Sequence, residues 1–265
     1  MSQTGEKLPQ LVDIMRRLLA PDGCPWDREQ TLETLRPFVI EEAHEVVDAI
    51  DRKDLTNLRE ELGDLLLQIV FQSVMVEQQH GAAFGIDDVI VGISEKMERR
   101  HPHVFGDERA DDSRAVLERW EQLKAKEKAG RGVLDGVPRA MPALLRAQRV
   151  GEKAAHIGLD WPDAQGPRDK LDEEIGELDE AIRSGDYDAI ESELGDVLFS
   201  LVSVARKHDV DPEAALRRTV DTFSARASKV ESLLRERALD PRALAASELD
   251  RVWKEAKEAL RRERA

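Results

Sequence analysis

Two pairs of acidic motifs, separated by the same distance, decide the organisation of this chain. The first pair is Glu-Glu-Ala-His-Glu at 41–45 and Glu-Leu-Gly-Asp at 61–64, and the second is Glu-Glu-Ile-Gly-Glu at 173–177 and Glu-Leu-Gly-Asp at 193–196. Every acidic residue of the first pair recurs 132 positions later. Self-similarity at a fixed distance is the signature of a repeated structural unit. The sequence therefore predicts two copies of one fold.

Residues outside the acidic motifs follow the same repeat. Trp120 and Lys124 recur 133 positions later as Trp253 and Lys257. Between the two copies, glycine and proline residues cluster at 130–142, and such residues interrupt helices and mark a linker. We therefore predict three segments, namely a first repeat at 1–129, the linker at 130–142 and a second repeat at 143–265.

Composition and apolar spacing make both repeats helical. Charged side chains form 36% of the 265 residues and aromatic ones only 4%, a balance that disfavours an all-β core. Apolar residues recur at i, i+3, i+4 and i+7, which is the period of an amphipathic helix. We predict an all-α fold without strands, with helices at about 8–19, 31–50, 54–80, 87–100, 113–128, 143–156, 167–184, 186–208, 211–238 and 246–262.

Individual residues mark some of these boundaries. Pro37 indicates either a kink in the helix at 31–50 or a later start, and Asp87 is a candidate cap for the helix at 87–100. One repeat of such helices makes only a thin bundle. Pairing of two chains across a two-fold axis would thicken the core, so we expect each bundle to be completed in a homodimer.

Charge and apolar runs exclude several classes of protein. With 55 acidic and 40 basic residues, the formal net charge is −15, which opposes binding to nucleic-acid polymers. No apolar run approaches the ~20 residues that span a bilayer, and the segment 1–10 lacks the apolar stretch of a signal peptide. The single cysteine, Cys24, excludes an internal disulfide. We therefore expect a cytoplasmic protein with no membrane partner.

The repeated acids have the spacing of a metal site. Glu42 and Glu45 share one helical face, as do Glu61 and Asp64, because residues three apart lie side by side on a helix. A short loop near 52–54 would fold the two helices against each other. Four converging carboxylates repel one another unless a cation lies among them. The equivalent acids of the second repeat are Glu174, Glu177, Glu193 and Asp196.

The ligand type narrows the choice of metal. An all-oxygen site suits Mg²⁺, with Mn²⁺ as the alternative, and such an ion points to a phosphate-bearing substrate. Acidic runs on charged helices are often only solvated faces, but here apolar residues flank the acids and the whole pattern recurs.

Two other kinds of site find little support in the sequence. Glu41 and His44 match the Glu-x-x-His element of di-iron bundles, yet Gly176 stands where His44 would recur. No P-loop or dinucleotide-binding glycine pattern is present.

Taken together, these motifs resemble those of the MazG family. The likeness extends to CPWDREQT at 24–31, ERRHPHVFGD at 98–107, RWEQLKAKEK at 119–128 and LDGVPRAMPALLRAQ at 134–148. MazG proteins are nucleoside triphosphate pyrophosphohydrolases of the all-α NTP pyrophosphatase superfamily. The resemblance implies Mg²⁺-dependent hydrolysis of NTP or dNTP to the monophosphate and pyrophosphate. It also implies a homodimer whose role is housecleaning, the removal of unwanted nucleotides from the cellular pool.

The resemblance also assigns residues. It implies that the eight acids named above, four in each repeat, ligate the metal. It further implies that the substrate is contacted by Lys170, Arg226 and Trp253. Cationic positions of the family pattern are here Ala189, Thr222 and Ala225, so phosphate contacts are missing from the second repeat. The first repeat keeps a basic run, and the sequence leaves open which repeat turns over substrate, or whether both do.

Elementary chemistry gives the remaining residues a role. Glu41 and Glu173 are the candidates to orient or deprotonate the attacking water. Trp120 and Trp253 would stack on the base or ribose, and cationic side chains would neutralise the leaving pyrophosphate. These cations are Lys96, Arg99, Arg100 and Lys124 in the first repeat, and Arg226 and Lys257 in the second.

A second function class retains the same residues. A non-catalytic helical module that binds nucleotides for regulation would keep the metal groove, and a purely structural protein would keep the helices. Release of monophosphate and pyrophosphate from a triphosphate distinguishes the enzyme from both. The preferred base and sugar, and the choice between standard and damaged nucleotides, are not fixed by these motifs.

Overall fold

The computed structural model describes residues 5–79, 83–106, 116, 120 and 132–263. The chain divides into two compact units, Met1–Ala129 and Gly130–Ala265. The regular secondary structure of the described residues is helical and contains no strand. The predicted all-α fold is therefore confirmed. None of the described helices is both long and apolar enough to cross a bilayer.

The first unit is built around one long helix. Its helices are α1 (Leu8–Leu19), α2 (Pro25–Glu29), α3 (Arg36–Arg52), α4 (Leu55–Gln79), α5 (Ile86–Arg100) and α6 (Pro102–Phe105). Helix α4 packs against α1, α3 and α5. Its buried residues Val70, Val74 and Met75 meet Met15 of α1 and Leu35, which precedes α3, in one apolar core. This core fixes the α3–α4 pair that carries the first acidic motifs.

The second unit repeats the central helix pair. Its helices are α7 (Ala143–Ala155), α8 (Gln165–Ser184), α9 (Tyr187–Lys207), α10 (Pro212–Glu236) and α11 (Ala246–Glu263). Helix α8 packs along α9, and α7 packs against both α9 and α10. Helices α10 and α11 form a second pair. The acids of the second repeat lie on α8 and α9, and the C-terminal cations lie on α10 and α11.

Equivalent two-residue loops close the acidic helix pairs of both units. The first loop residue is left-handed in each, Lys53 with φ 57° and Gly185 with φ 73°, and these positions are 132 apart. The second loop residue caps the following helix, because Asp54 and Asp186 each accept hydrogen bonds from the backbone N–H groups two and three residues ahead. A loop this short turns the second helix back along the first, as the sequence predicted for the first unit.

Several predicted boundaries are corrected by the structure. Helix α3 begins at Arg36 with Pro37 in its first turn, so Pro37 marks a late start and not a kink. Asp87 does not cap α5; Gly85 is the cap, and its N–H donates to Asp88 Oδ2 at 2.8 Å. Helices α2 and α6 were not predicted, because 5 and 4 residues are too short to show a period. The helix predicted at 113–128 lies outside the described residues, apart from helical Val116 and Trp120.

A cluster of charged side chains ties the α7–α8 loop to α9. Asp160 accepts hydrogen bonds from both terminal nitrogens of Arg206 and from Lys207 Nζ at 2.9 Å. All three side chains are less than one-fifth exposed. Hydrogen bonds from Arg206 outweigh the opposing effect of burial and, with Lys207, hold the pKa of Asp160 well below its usual 3.8. This ion cluster anchors the loop that leads into α8, the helix that carries the acidic motif at 173–177.

Asp160→Asn should lower the free energy of unfolding of the second unit by about 2 kcal/mol, because two partly buried cations lose their charged partner. An acid whose folded pKa is depressed stabilises the fold above its unfolded pKa. The difference between wild type and variant should therefore be constant near neutral pH and shrink as the pH falls below about 4. Urea titrations followed by circular dichroism measure it. Asp172→Asn, in an exposed pair with Arg168, is the matched control and should change stability by less than about 0.5 kcal/mol.

Candidate functional site

The first acidic cluster consists of Glu42 and Glu45 on α3 and Glu61 on α4. Each offers a carboxylate oxygen, and these three oxygens lie within 4.8 Å of one another. Glu42 and Glu61 are half-buried, whereas Glu45 is exposed. Three converging carboxylates at the rim of a helix pair form an oxygen-rich group that can hold a hard divalent cation.

Mutual repulsion is visible in the first cluster. Burial first, and then the charges of Asp64, Glu45 and Glu61, raise the pKa of Glu42. Burial also raises the pKa of Glu61, followed by the charge of Glu45 and a hydrogen bond with it. Asp64 therefore acts on the cluster electrostatically, although it is not among the three closest carboxylates. A cation among these groups would relieve the repulsion.

The second cluster has the same geometry on α8 and α9. Oxygens of Glu174, Glu177 and Glu193 lie within 4.8 Å of one another, and Glu174 is only 5% exposed. Burial and then the charge of Glu174 raise the pKa of Glu177, while Lys170 opposes that rise. The clusters are the two groups of acidic, histidine or cysteine side chains close enough to hold a metal within the described part of the chain.

The side chain of Lys170 distinguishes the second cluster from the first. Its Nζ lies 2.8 Å from a carboxylate oxygen of Glu173 and 2.8 Å from one of Glu174. Hydrogen bonds with these two glutamates raise the pKa of Lys170 above its usual value. The resemblance assigned Lys170 to the substrate, but in this structure the side chain lies among the acids. Glu173, the candidate for water activation, is thus ion-paired.

The remaining acids lie beside the clusters. Asp64 and Asp196 follow Glu61 and Glu193 by three residues, on the same faces of α4 and α9, but are not among the carboxylates within 4.8 Å. Glu41 is exposed next to Glu42. His44 is exposed as well and belongs to neither cluster, so the di-iron alternative gains no support.

Predicted cations of the second repeat come together on a different helix pair. Arg226 of α10 and Lys257 of α11 line an open groove of about 190 Å³ with Thr222, Leu260 and Arg261. We call this surface the basic groove. Arg226, Lys257 and Arg261 form no ion pair with any described residue. Their charges are thus available to an anion.

An aromatic pair lies beside the basic groove. The ring of Trp253 packs against Phe223 with centroids 5.2 Å apart and planes tilted by 44°. Trp253 precedes Lys257 by one helical turn, and Phe223 precedes Arg226 by three residues. An aromatic surface next to cationic side chains matches the chemistry of a nucleotide, which has a stacking base and anionic phosphates.

The structure describes most, but not all, of the predicted substrate-binding residues of the first repeat. Lys96, Arg99 and Arg100 lie in the last turns of α5. Trp120 packs edge-on against His101 with ring centroids 4.9 Å apart, so it also serves the packing of the α5–α6 corner. Lys124 lies outside the described residues.

Two features of the site were missed by sequence reasoning. Arg261 lines the basic groove, and its spacing of four from Lys257 on one helix was the available signal. The pairing of Lys170 with Glu174 also follows an i, i+4 spacing, which is the usual geometry of a helical ion pair. Both were visible once the helix boundaries were known.

Comparison with known proteins agrees with this geometry. The chain matches the MazG nucleotide pyrophosphohydrolase domain twice, at residues 30–105 and 166–231. Together these segments cover more than half of the chain. The chain belongs to the MazG family. Each matched segment contains one complete acidic cluster, so the family domain and the candidate metal site coincide in both units.

Similar proteins extend the likeness over nearly the whole chain. A nucleoside triphosphate pyrophosphohydrolase of Escherichia coli (strain K12) is 41% identical over 257 residues, covering 95% of this chain and 97% of that protein. A nucleoside triphosphate pyrophosphohydrolase/pyrophosphatase MazG of Thermotoga maritima is 41% identical over 259 residues, covering 97% and 98%. A nucleoside triphosphate pyrophosphohydrolase of Mycobacterium tuberculosis is 40% identical over 158 residues, covering 60% of this chain and 48% of that protein.

Repulsion within the first cluster predicts that Glu45→Gln stabilises the metal-free protein. In EDTA at pH 7.5, loss of one negative charge should raise the melting temperature by about 1–3 °C. Acids with raised folded pKa values favour the fold when protonated, so the repulsion fades as the pH falls through those values. The gain should therefore shrink toward pH 4.5. Asp48→Asn, which breaks an exposed pair with Arg52 on the same helix, should show no such gain; an equal rise there would contradict repulsion as the cause.

Proposed function

We propose that this MazG-family chain hydrolyses nucleoside triphosphates to the monophosphate and pyrophosphate, with a divalent metal held by its acidic clusters. The observation that carries the proposal is that both family domains contain a set of three carboxylates within 4.8 Å. The relatives that match over almost their full length are named for this hydrolysis. Removal of unwanted nucleotides from the pool is the biological role that fits it.

The donor set supports Mg²⁺ as the metal, with Mn²⁺ as the alternative. All the clustered groups are carboxylates, which hard divalent cations prefer. Glu42, Glu45, Glu61 and Asp64 would hold the ion in the first unit. The ligands in the second would be Glu174, Glu177, Glu193 and Asp196. When bound, such an ion neutralises triphosphate oxygens and stabilises the charge that develops as the phosphoanhydride bond breaks.

Two glutamates of the chain would hold the attacking water and accept its proton. Glu41 and Glu173 adjoin the clusters without being members of them, which suits them to hold the attacking water. The water oxygen bonds to the α-phosphorus while the bond from that phosphorus to the bridging α–β oxygen breaks. The proton passes to the carboxylate and then to solvent, and pyrophosphate leaves with the bridging oxygen.

Cations and aromatic rings would bind the rest of the nucleotide. In the second unit, Arg226, Lys257 and Arg261 of the basic groove would neutralise phosphate oxygens, and Trp253 would stack on the base or ribose. In the first unit the corresponding roles would fall to Trp120 and to the cations Lys96, Arg99, Arg100 and Lys124. Both units keep a complete acid set, so we propose that both bind metal.

An exposed apolar stripe in each unit supports a homodimer. Five positions on the acidic helix pair are apolar or aromatic in both units, and their side chains are 41–79% exposed. These positions, which we call the apolar stripe, are Ile50, Leu55, Leu62, Leu66 and Ile69 in the first unit and Ile182, Tyr187, Leu194, Leu198 and Leu201 in the second. Exposed apolar surface of this extent is typical of an interaction face. A second copy of the chain would cover it with its own stripe.

We also propose a cytoplasmic location. Nucleoside triphosphates are present in the cytoplasm, where the reducing conditions keep an unpaired cysteine such as Cys24 as a thiol. The substrate partner is the monomeric nucleotide, because a net charge of −15 repels nucleic-acid polymers.

The activity test is incubation of the full chain with each NTP and dNTP in Mg²⁺, with products resolved by ion-exchange chromatography. Monophosphate and pyrophosphate are expected. Two double variants each remove two metal ligands, one in each unit: Glu42→Gln with Glu45→Gln, and Glu174→Gln with Glu177→Gln. Each should lower the turnover of its own unit at least ~100-fold. The pattern of residual activity assigns turnover to one unit or both.

Matched controls are Asp87→Asn and Asp179→Asn, exposed acids outside the clusters, which should retain full activity. Release of diphosphate and orthophosphate would show that a different bond is broken. Absence of hydrolysis of every triphosphate, combined with nucleotide binding, would favour the regulatory module.

The dimer is tested by the double variant Leu66→Glu and Leu198→Glu in the apolar stripe. Buried glutamates would oppose pairing of the stripes, so light scattering should report the 29.8 kDa mass of a single chain where the wild type gives twice that value. Glu180→Lys, an exposed change on α8 outside the stripe, should remain dimeric. A wild-type monomer at micromolar concentration would overturn the dimer proposal.

A further inference from the structure

The two acidic clusters differ at one equivalent position. Four residues before Glu42 the chain has Phe38, and four residues before Glu174 it has Lys170. Residues four apart on a helix lie one above the other on the same face. Each side chain therefore flanks its own cluster, one with an aromatic ring and the other with a positive charge.

In the second unit, the lysine is bound to the acids themselves. Lys170 Nζ is 2.8 Å from Glu174, the most deeply buried of the clustered carboxylates, and 2.8 Å from Glu173. Glu174 is thereby neutralised from within the protein. The second set of five repeated acids contains an internal cation, and any metal that binds Glu174 must compete with it.

In the first unit, the equivalent position supplies no charge. Phe38 packs edge-on against Trp26, with ring centroids 6.1 Å apart and planes at 75°, and it borders the apolar core. Among the described residues, no cation forms an ion pair with Glu42, Glu45 or Glu61. The apolar surface of Phe38 also reduces the screening of charge by water. The first cluster therefore has no internal counter-ion among the described residues.

We infer that Lys170 is a built-in counter-ion that lowers the metal affinity of the second cluster below that of the first, so that the two units fill with metal at different concentrations. This inference rests on the metal binding proposed above. Two partly exposed ion pairs must be broken before the metal takes the oxygens of Glu174. Pairs of this kind change affinity by up to about tenfold.

The lysine also gives the second unit a link between metal and substrate. Once a metal ion replaces it at Glu174, the Lys170 ammonium group is free to pair with triphosphate oxygens. Its release also frees Glu173 for the attacking water. The second unit thus becomes competent only when metal is abundant enough to displace the lysine, whereas the first unit has no such threshold.

Binding of Mn²⁺ to the metal-stripped full chain tests the inference without reference to turnover. Electron paramagnetic resonance measures free Mn²⁺ during a titration. The second cluster is isolated by Glu42→Gln with Glu45→Gln, and the first by Glu174→Gln with Glu177→Gln. Circular dichroism checks that every variant is folded.

In these backgrounds the second cluster should bind Mn²⁺ about tenfold more weakly than the first. Lys170→Met should tighten binding at the second cluster by about tenfold, whereas Lys170→Arg keeps the charge and should leave it weak. Phe38→Lys should weaken the first cluster by a similar factor. Phe38→Met, which removes the ring but adds no charge, is its matched control and should leave the affinity within about twofold.

Two outcomes would overturn the inference. One is equal affinity of the two clusters with no tightening in Lys170→Met. The other is equal weakening by Phe38→Lys and Phe38→Met, which would assign the difference to packing and not to charge. Absence of Mn²⁺ binding in both backgrounds is a separate result, because it would overturn the proposed metal function and this inference with it.

Discussion

Repulsion among carboxylates held in a half-buried groove is the constraint on which the rest of this structure depends. In each unit, three carboxylate oxygens from two helices lie within 4.8 Å of one another. Such an arrangement opposes folding, apolar packing elsewhere offsets the repulsion, and a bound cation would relieve it. Burial is the largest cause of the raised pKa values of Glu42, Glu61 and Glu177, and the repulsion from neighbouring acids adds to it.

The fold supplies what the acids require. Two-residue loops with a left-handed first residue set the register of both helix pairs, so the acids of one helix meet those of the next. In the first unit, the apolar core around Val70, Val74 and Met75 anchors the far half of α4. In the second, the ion cluster of Asp160, Arg206 and Lys207 fixes the start of α8. The contacts that stabilise each unit therefore lie away from its acidic cluster, and the clustered carboxylates still repel one another.

Much of this was predictable because helical patterns are local. The period of apolar residues located the long helices, and the repeated acids located both clusters with their connecting loops. The pattern did not locate α2 and α6, which are shorter than two turns. It also placed the cap of α5 at Asp87, because the true cap, Gly85, has no side chain of its own to mark the position. The partner of Lys170 and the lining of the basic groove depend on side-chain geometry and on helix pairing, which spacing alone does not determine.

The central claim is that the repeated carboxylates are metal ligands, and diffraction at the manganese absorption edge tests it most directly. Crystals of the full chain soaked in Mn²⁺ with a non-hydrolysable triphosphate should show anomalous peaks among Glu42, Glu45 and Glu61, and among Glu174, Glu177 and Glu193. The triphosphate should lie against these peaks. Anomalous density elsewhere on the protein, with both acidic clusters empty under saturating Mn²⁺, would contradict the account.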